Sequence, residues 1–247
     1  DSVEFIGHSA FSDCAKLGKV ELPKTLNIIP SKAFYNCIDL ATIVIPDSVK
    51  EIYNAAFSCC KRLKHITLPN SLKTIEEAAF SYCEELEEII IPDSVEVIKE
   101  NAFYRCEKLS KAVLSNSLKK LNRCTFGGCL GLEEIVIPDS VEIIDSMAFS
   151  DYRRSNLRKG SAIRKMVLPK SLKVIEKQTF ESFKELEEIV IPDSVETIGE
   201  RAFQGCSKLR KVTLSKSLKV IDERAFESCN NLEEIIIPDS VEAIGEG

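Results

Sequence analysis

Phenylalanine recurs along the chain at a fixed interval, at every twenty-third position. The series of ten is Phe11, Phe34, Phe57, Phe80, Phe103, Phe126, Phe149, Phe180, Phe203 and Phe226. Only the step from Phe149 to Phe180 differs, because one repeat carries eight extra residues. A unit this short cannot bury its own apolar face and must stack on its neighbours. The period therefore predicts a solenoid of about ten rungs, where a rung is one turn of the repeat.

Each repeat contains two different patterns of apolar residues. The segment Leu86–Ile91 ends in alternating apolar positions, which is typical of a short strand, and Pro92 ends it because proline has no amide hydrogen for a sheet. In the segment Ile52–Cys60, apolar residues follow the first at intervals of four, five and eight. This is the spacing of one helical stripe about two turns long. The repeat is thus expected to run strand, turn, short helix and return.

The two patterns together predict an α/β repeat solenoid. Stacked rungs would place strand beside strand in a parallel β-sheet on the concave face of a curved rod, with short helices or helical turns on its convex face. We interpret residues 1–247 as a single domain of this kind, with the eight-residue insertion between 150 and 162. Both ends fall inside a repeat, so we expect the chain to be a segment of a longer protein.

The repeat unit resembles a known family. Residues 191–209 read IPDSVETIGERAFQGCSKL, which is similar to the BspA-like class of leucine-rich repeat, whose period has the same length. The resemblance extends over essentially the whole chain and implies a leucine-rich-repeat rod. Such repeats are known from surface proteins of bacteria and of some parasitic protists, where they serve in adhesion and bind host or matrix proteins. The resemblance therefore implies a cell-surface or secreted location and a protein partner.

Eight of the ten cysteines occupy one position of the repeat, three residues after the phenylalanine. Tyr152 and Phe183 fill this position in the other two rungs, so an apolar side chain suffices there. A disulfide needs side chains that converge, whereas equivalent side chains on stacked rungs point the same way. We therefore expect a column of buried thiols. Cys59 and Cys124 lie outside the column and are predicted to be the more reactive or exposed thiols.

Acidic and basic residues alternate from one rung to the next. Glutamate pairs such as Glu133–Glu134 and Glu187–Glu188 would by themselves suggest acid–base chemistry or a calcium site. The equivalent positions of the intervening rungs hold Arg164–Lys165 and Arg210–Lys211, which predicts cross-strand ion pairs instead. The pattern of charge therefore repeats every two rungs, which is twice the length of the sequence repeat. A slip by one rung would place like charges side by side.

Composition and charge argue against several classes of function. The 33 basic and 39 acidic residues are interspersed and give a net charge of −6, which is not the basic field that nucleic acid requires. No apolar run approaches the roughly 20 residues of a membrane helix, so we expect no membrane insertion in this segment. With His8 and His65 as the only histidines, no nucleophile–histidine–acid grouping arises. We expect no catalysis, no metal site and no cofactor.

One position of each predicted strand points away from the core and forms a column that is mostly valine or isoleucine. With its charged neighbours it is the candidate partner-binding surface of the concave face, which comprises Val44, Ile90, Val113, Val136, Val167, Val190, Ile236, Glu88, Lys111, Glu134, Lys165, Glu188, Lys211 and Glu234. An exposed apolar strip of this kind is a sign of an interface. The column is also explained by the strand preference of β-branched residues alone, and both interpretations stay open.

The eight-residue insertion is a second candidate surface. Its basic residues are Arg153, Arg154, Arg158 and Lys159, which would suit an acidic partner. Surface loops also tolerate changes in length at little entropic cost, so an insertion without function is the alternative. The sequence as a whole predicts a non-enzymatic protein–protein interaction or adhesion module of a cell-surface protein. The alternative is a structural spacer or stalk that presents another domain, and the sequence leaves the ligand and the oligomeric state undetermined.

Overall fold

The computed structural model of the protein describes residues 3–150 and 161–246. These residues form a parallel β-solenoid of nineteen short strands. In chain order the strands are β1 (Ile28–Ile29), β2 (Thr42–Val44), β3 (Glu51–Ile52), β4 (His65–Thr67), β5 (Thr74–Ile75), β6 (Glu88–Ile90), β7 (Val97–Ile98), β8 (Lys111–Val113), β9 (Lys120–Leu121), β10 (Glu134–Val136), β11 (Ile143–Ile144), β12 (Lys165–Val167), β13 (Val174–Ile175), β14 (Glu188–Val190), β15 (Thr197–Ile198), β16 (Lys211–Thr213), β17 (Val220–Ile221), β18 (Glu234–Ile235) and β19 (Ala243–Ile244). The even-numbered strands form one face of the solenoid, here called the first sheet, and the odd-numbered strands form another, here called the second sheet. The hydrogen-bonded ladder of each is interrupted along the chain.

Both sheets are parallel and keep the register of the repeat. In the first sheet Glu88 lies opposite Lys111, one period further along the chain. Across the longer repeat Glu134 lies opposite Lys165, so the eight extra residues fall outside the sheet and the register continues unchanged. Equivalent positions of successive rungs therefore face one another, as stacked repeats require.

The fold class predicted from the sequence is wrong, because the described residues contain no helix. The segment expected to be helical consists of tight turns in which Ala55 and Cys59 have φ angles of 52° and 63°. Such left-handed residues interrupt a right-handed helix. They turn alternate amides towards the next rung: Phe57 N–H donates to the Ala79 carbonyl at 2.8 Å, whereas Cys60 N–H donates to Phe57 O within its own rung at 3.2 Å.

This arrangement satisfies more backbone groups than a helix could. A helix of two turns leaves four N–H and four C=O groups without intrahelical partners. In the turns, the amides at Ala55 and Cys59 also donate to the next rung, at 2.9 and 2.8 Å, so the corner acquires its own ladder of inter-rung hydrogen bonds. Ile52, which begins the predicted helical stripe, instead lies in β3 of the second sheet.

The phenylalanine series forms stacked rings through the core on both sides of the insertion. The rings of Phe34 and Phe57 are 5.3 Å apart and nearly parallel, and those of Phe57 and Phe80 are 5.4 Å apart. Both Phe57 and Phe80 are completely buried, and so is Leu86 of the leucine column. Stacking of identical side chains supplies the apolar burial that no single rung could provide.

The parallel stacking of the rings is interrupted between Phe149 and Phe180. Phe149 contacts the ring of Phe183 edge-on at 6.0 Å, and Phe183 contacts Phe180 edge-on at 5.4 Å. Phe183 is fully buried at the position that holds cysteine in most rungs. Its ring therefore fills the space between two rungs that the insertion separates in sequence.

Hydrogen bonds of the first sheet group most of its strands in pairs. Each acidic rung is paired with the basic rung that follows it, as β2–β4, β6–β8, β10–β12 and β14–β16, with β18 added to the last pair. Side chains reinforce these steps: the carboxylate of Asp139 accepts the backbone N–H of Lys170 at 2.9 Å, and that of Asp193 accepts the N–H of Lys216 at 3.1 Å. A lysine side chain has no acceptor and cannot make the same bond to the rung after it.

Candidate functional site

The outward surface of the first sheet, here called the strand face, carries a row of exposed apolar side chains. Their exposed fractions are 68% for Val44, 55% for Ile90, 43% for Val113, 63% for Val136, 48% for Val167, 64% for Val190 and 74% for Ile236. The strands alternate between buried and exposed positions, so the inward neighbours of these residues belong to the core. The structure thus brings the predicted column together on one surface.

Charged side chains flank this row and lie opposite the other sign of charge across the strands. Lys111 forms an ion pair and a hydrogen bond with Glu88, which is half-buried. Glu134 lies opposite Lys165, and Lys211 lies between Glu188 and Glu234 in the register. The predicted cross-strand arrangement of opposite charges is confirmed by this register, so the glutamate pairs are sheet contacts.

A second column of ion pairs lies one residue before these positions. Arg210 pairs with Glu187, and the Nε atom of Arg164 lies 4.0 Å from a carboxylate oxygen of Glu133. All four side chains are about half exposed. Pairs this exposed contribute little to stability, about 0 to 1 kcal/mol each, and act chiefly by disfavouring a shifted register.

A groove runs beside the exposed row, between it and the residues that follow the prolines. Its part beside Val167 and Val190 has a volume of about 830 Å³. Val167 and Val190 form one wall, Leu168 and Ile191 the floor, and the opposite rim includes Asp193. The same depression recurs beside Val113 and Val136, with about 740 Å³, and beside Val44, with about 590 Å³. The sequence did not predict the groove, because it arises from the step between strand and turn.

An aromatic cluster at the turn corner was also missed. The guanidinium carbon of Arg105 lies 5.7 Å from the ring centre of Tyr82 and 5.5 Å from that of Tyr104. The two rings meet edge-on at 5.6 Å. Tyr104 is buried, so this cation–π cluster closes the corner of two rungs. No repeating sequence signal marks it, since Tyr82 and Arg105 share a repeat position that has no preferred residue.

Cys14 of the column is exposed, whereas the buried column cysteines are free thiols that donate hydrogen bonds. Sγ of Cys60 donates to the carbonyl of Phe34 at 3.1 Å, and Sγ of Cys83 donates to that of Phe57 at 3.3 Å. Burial raises the pKa of Cys60 and of Cys83 above the ordinary value. The thiols are therefore structural, because a buried thiol held in its protonated form is a poor nucleophile.

Of the two cysteines outside the column, both predicted to be reactive or exposed, one is exposed in part and the other is not. Cys59 is partly exposed, but Cys124 is completely buried. Cys124 has a φ of 52° and occupies the turn position that alanine holds at Ala55 and Ala78.

Residues 3–150 and 161–246 contain no group of three or more His, Cys, Asp or Glu side chains placed to hold a metal ion. Within the same ranges no helix is long and apolar enough to cross a membrane. The basic residues of the insertion, Arg153, Arg154, Arg158 and Lys159, lie outside the described residues.

Comparison with known proteins gives a consistent result. The sequence matches a family described as BspA type Leucine rich repeat region, in six copies over residues 1–110, 28–158 and 153–247. A leucine-rich repeat protein from Bacteroides ovatus ATCC 8483 has a similar structure, with a TM-score of 0.72 and 32% identity over 97% of this chain and 72% of that chain. No curated protein matches the sequence.

Two further solved structures show the same architecture at lower identity. A leucine rich repeat protein of T. pallidum has a TM-score of 0.56 and 26% identity, over 78% of this chain and 78% of that chain. A pneumococcal vaccine antigen has a TM-score of 0.54 and 25% identity, over 90% of this chain and 64% of that chain.

Proposed function

The chain belongs to the BspA-type leucine-rich repeat family, and from this premise we propose that it is a non-enzymatic adhesion module that binds a protein partner through the strand face. Repeats of this family are typically protein-interaction or surface modules. The proposed location is the cell surface, by resemblance to the surface proteins in which such repeats are known. Host or matrix proteins are the proposed class of partner.

The observation that carries this proposal is an uninterrupted apolar row on five neighbouring rungs. The five exposed fractions lie between 43% and 64%, although the inward-facing residues of the same strands pack into the core. The residues of the row are Ile90, Val113, Val136, Val167 and Val190. Contiguous exposed apolar surface marks an interface more often than isolated residues do.

Strand preference alone does not account for this row. Thr67 and Thr213 occupy the same column in other rungs and are also exposed. Threonine is β-branched and favours strands as valine does, yet it presents a hydroxyl to water. The use of valine or isoleucine on five successive rungs therefore supports a surface that is covered by a partner, and it disfavours the spacer alternative.

The experiment compares a double variant of the strand face with a matched control. Val136→Asp with Val190→Asp places two charges in the row, whereas Val97→Asp with Ile143→Asp makes the same change at exposed positions of the second sheet. Immobilised chains are tested by surface plasmon resonance against purified extracellular-matrix and host cell-surface proteins, and thermal unfolding checks that each variant folds.

We expect at least one protein to bind the parent chain and the control. The strand-face variant should lose affinity by about tenfold or more, since burying an unpaired carboxylate costs several kcal/mol. Equal binding by both variants would show that another surface is used. If no protein binds the folded parent chain, the spacer alternative replaces this proposal.

A further inference from the structure

The sign of the charge on the strand face alternates over seven successive rungs. The register continues across the insertion, because Glu134 lies opposite Lys165. Glu88 is half-buried and the other six charged side chains are exposed, so they can meet a partner as well as one another. In chain order from β6 to β18, the residues are Glu88, Lys111, Glu134, Lys165, Glu188, Lys211 and Glu234.

An alternating row of this kind is complementary to a second copy of itself. A two-fold axis parallel to the strands and midway between β10 and β12 turns the second copy face to face with the first and reverses its solenoid axis. Glu134 of each copy then lies opposite Lys165 of the other, and the outer rungs follow. The further facing pairs are Lys111 with Glu188 and Glu88 with Lys211. Every charge of these six rungs therefore meets its opposite.

The column one residue earlier in each rung obeys the same symmetry. Its facing pairs are Glu133 with Arg164, Ser110 with Glu187, and Glu87 with Arg210. Two of these three pairs have opposite charges and none has like charges. This column was not used to place the axis, so two columns of charge select the same arrangement independently.

The exposed apolar row meets the same row of the second copy. Its facing pairs are Val136 with Val167, Val113 with Val190, and Ile90 with Thr213. Five of these six side chains are apolar, and each of the five is 43% to 64% exposed in a single copy. Contact between the rows removes this surface from water and supplies the affinity, while the charges fix orientation and register.

Other arrangements of two copies match less well. An axis that passes through a rung, instead of between two rungs, places Glu134 of one copy opposite Glu134 of the other, and like charges then meet at every rung. An axis parallel to the solenoid lays the charged column of one copy over the apolar row of the other. A different protein would need alternating charges at the spacing of stacked rungs, about 4.8 Å, which a second solenoid of this repeat already has.

The size of the contact predicts a weak association. The eight rungs from β4 to β18 span about 38 Å and four strand residues span about 13 Å, so two flat faces bury about 1,000 Å² in total. This area is at the lower limit of specific protein–protein interfaces. We expect a dissociation constant on the order of 100 µM.

From this self-complementarity, we propose that two copies of the chain associate through their strand faces, antiparallel, about a two-fold axis between β10 and β12. This inference rests on the proposed function, because it names a further partner for the same surface. Rods that project from two opposing surfaces meet antiparallel, whereas rods on one surface stand parallel. With the proposed cell-surface location, the contact joins chains of two facing cells, and many weak contacts engaged at once hold them together.

The test reverses charge at two rungs that face each other between copies but are not neighbours within the chain. Lys111→Glu and Glu188→Lys are prepared as separate variants, and sedimentation equilibrium at low salt measures self-association. We expect the parent chain to form a dimer. Each variant alone should associate about tenfold more weakly, because two attractive contacts per dimer become repulsive. An equimolar mixture of the two should associate as the parent does, since each reversed charge then faces its opposite on the other variant.

A matched variant separates the strand face from overall charge. Lys119→Glu makes the same change of charge beside the second sheet, where the Lys119 side chain is 70% exposed and pairs with Glu142. It should leave self-association unchanged, and thermal unfolding checks that each variant folds. Recovery in the mixture cannot come from folding, because neither variant is altered by mixing except through contact with the other.

Two results would overturn the inference: a parent chain that stays monomeric up to about ten times the expected dissociation constant, or a mixture that associates no better than its separate variants. If either is found while Val136→Asp with Val190→Asp still abolishes binding of a host or matrix protein, only this inference is wrong. If the mixture recovers and that double variant leaves binding of the host or matrix protein unchanged, the proposed function is wrong and the self-association stands.

Discussion

A buried column cysteine does two things that no other small side chain does together. Cys83 fills a completely buried space between rungs, and its thiol donates to the Phe57 carbonyl, which already accepts the N–H of Cys60 in its own rung. Alanine or valine would fill space without donating, and serine would bring a more polar group into an apolar site. The pattern of the sequence predicted burial, but the hydrogen bond depends on the turn geometry and was not predictable.

Buried thiols make the protein sensitive to alkali. Burial raises the pKa of Cys37 to about 11 and that of Cys129 to about 12, whereas unfolded cysteine ionises near 8.5. Because these folded-state pKa values are raised, the stabilisation is complete below about pH 8.5 and is lost as the pH rises towards 11 to 12. Each such thiol should lower the unfolding free energy by about 1.4 kcal/mol per pH unit in this window.

Urea unfolding at pH 7, 9 and 10 measures this slope, with Cys129→Ala as the matched variant. The variant should be less stable at pH 7, since it loses the hydrogen bond to Phe103 O, and its stability should fall less steeply above pH 9 by about one proton. Identical slopes for the two proteins would mean that Cys129 is ionised equally in the folded and unfolded chain.

At the level of the elements, the sequence predicted the first-sheet strands but not the second sheet. Alternating apolar residues before a proline identify β6, and equal repeat lengths place Glu88 opposite Lys111. The turn segment has apolar residues at helical intervals, yet a rung has too few residues there for a stable helix, and inter-rung hydrogen bonds favour turns. The β-branched pairs in β13 and β15 were the available signal for the second sheet.

The exposed row of the candidate site was predictable from the sequence because the strands that carry it were. The exposure of Val136 and Val190 follows from the two-residue alternation of a strand. The groove does not follow, because its shape depends on the three-dimensional step between strand and turn. The hydrogen bonds by which the Asp139 and Asp193 carboxylates join successive rungs are likewise visible only in the structure.

A substitution of Phe183 measures how tightly the solenoid is packed at the insertion. Its ring contacts Phe149 and Phe180 in a space that other rungs close by direct stacking. Phe183→Cys restores the residue that the repeat favours, yet it should destabilise the protein by about 2 to 4 kcal/mol because a cavity replaces the ring. The measurement is the unfolding free energy in urea, with Cys206→Ala in the next rung as a control that removes fewer atoms, at a cost of about 1 to 2 kcal/mol. A neutral Phe183→Cys would show that the neighbouring rings close the gap.

Along the described part of the chain, three features have a period of two rungs. Charge alternates across the first sheet, as at Glu134 and Lys165. Aspartate carboxylates bond to the following rung, as at Asp139 and Lys170. The ladder of the first sheet is interrupted between most pairs. A solenoid in which all rungs were equivalent would need none of these, so the pair of rungs is the unit in which the surface is organised.

Two internal deletions test whether the stability of the solenoid also depends on keeping complete pairs of rungs. Removing residues 93–115 deletes one rung and brings Glu88 beside Glu134, with Glu87 beside Glu133, so like charges face each other. Removing residues 93–138 deletes a pair and brings Glu88 beside Lys165, which preserves the alternation. Stability of a repeat array normally rises with the number of rungs, so length alone predicts that the single-rung deletion is the more stable product. Cross-strand charge predicts instead that the single-rung deletion is the less stable product, by about 1 to 2 kcal/mol for two repelling pairs at low salt. It also predicts that high salt reduces this difference in stability between the two deletions. Thermal unfolding at low and high ionic strength measures both, and a more stable single-rung deletion at every salt concentration would show that the rungs are interchangeable.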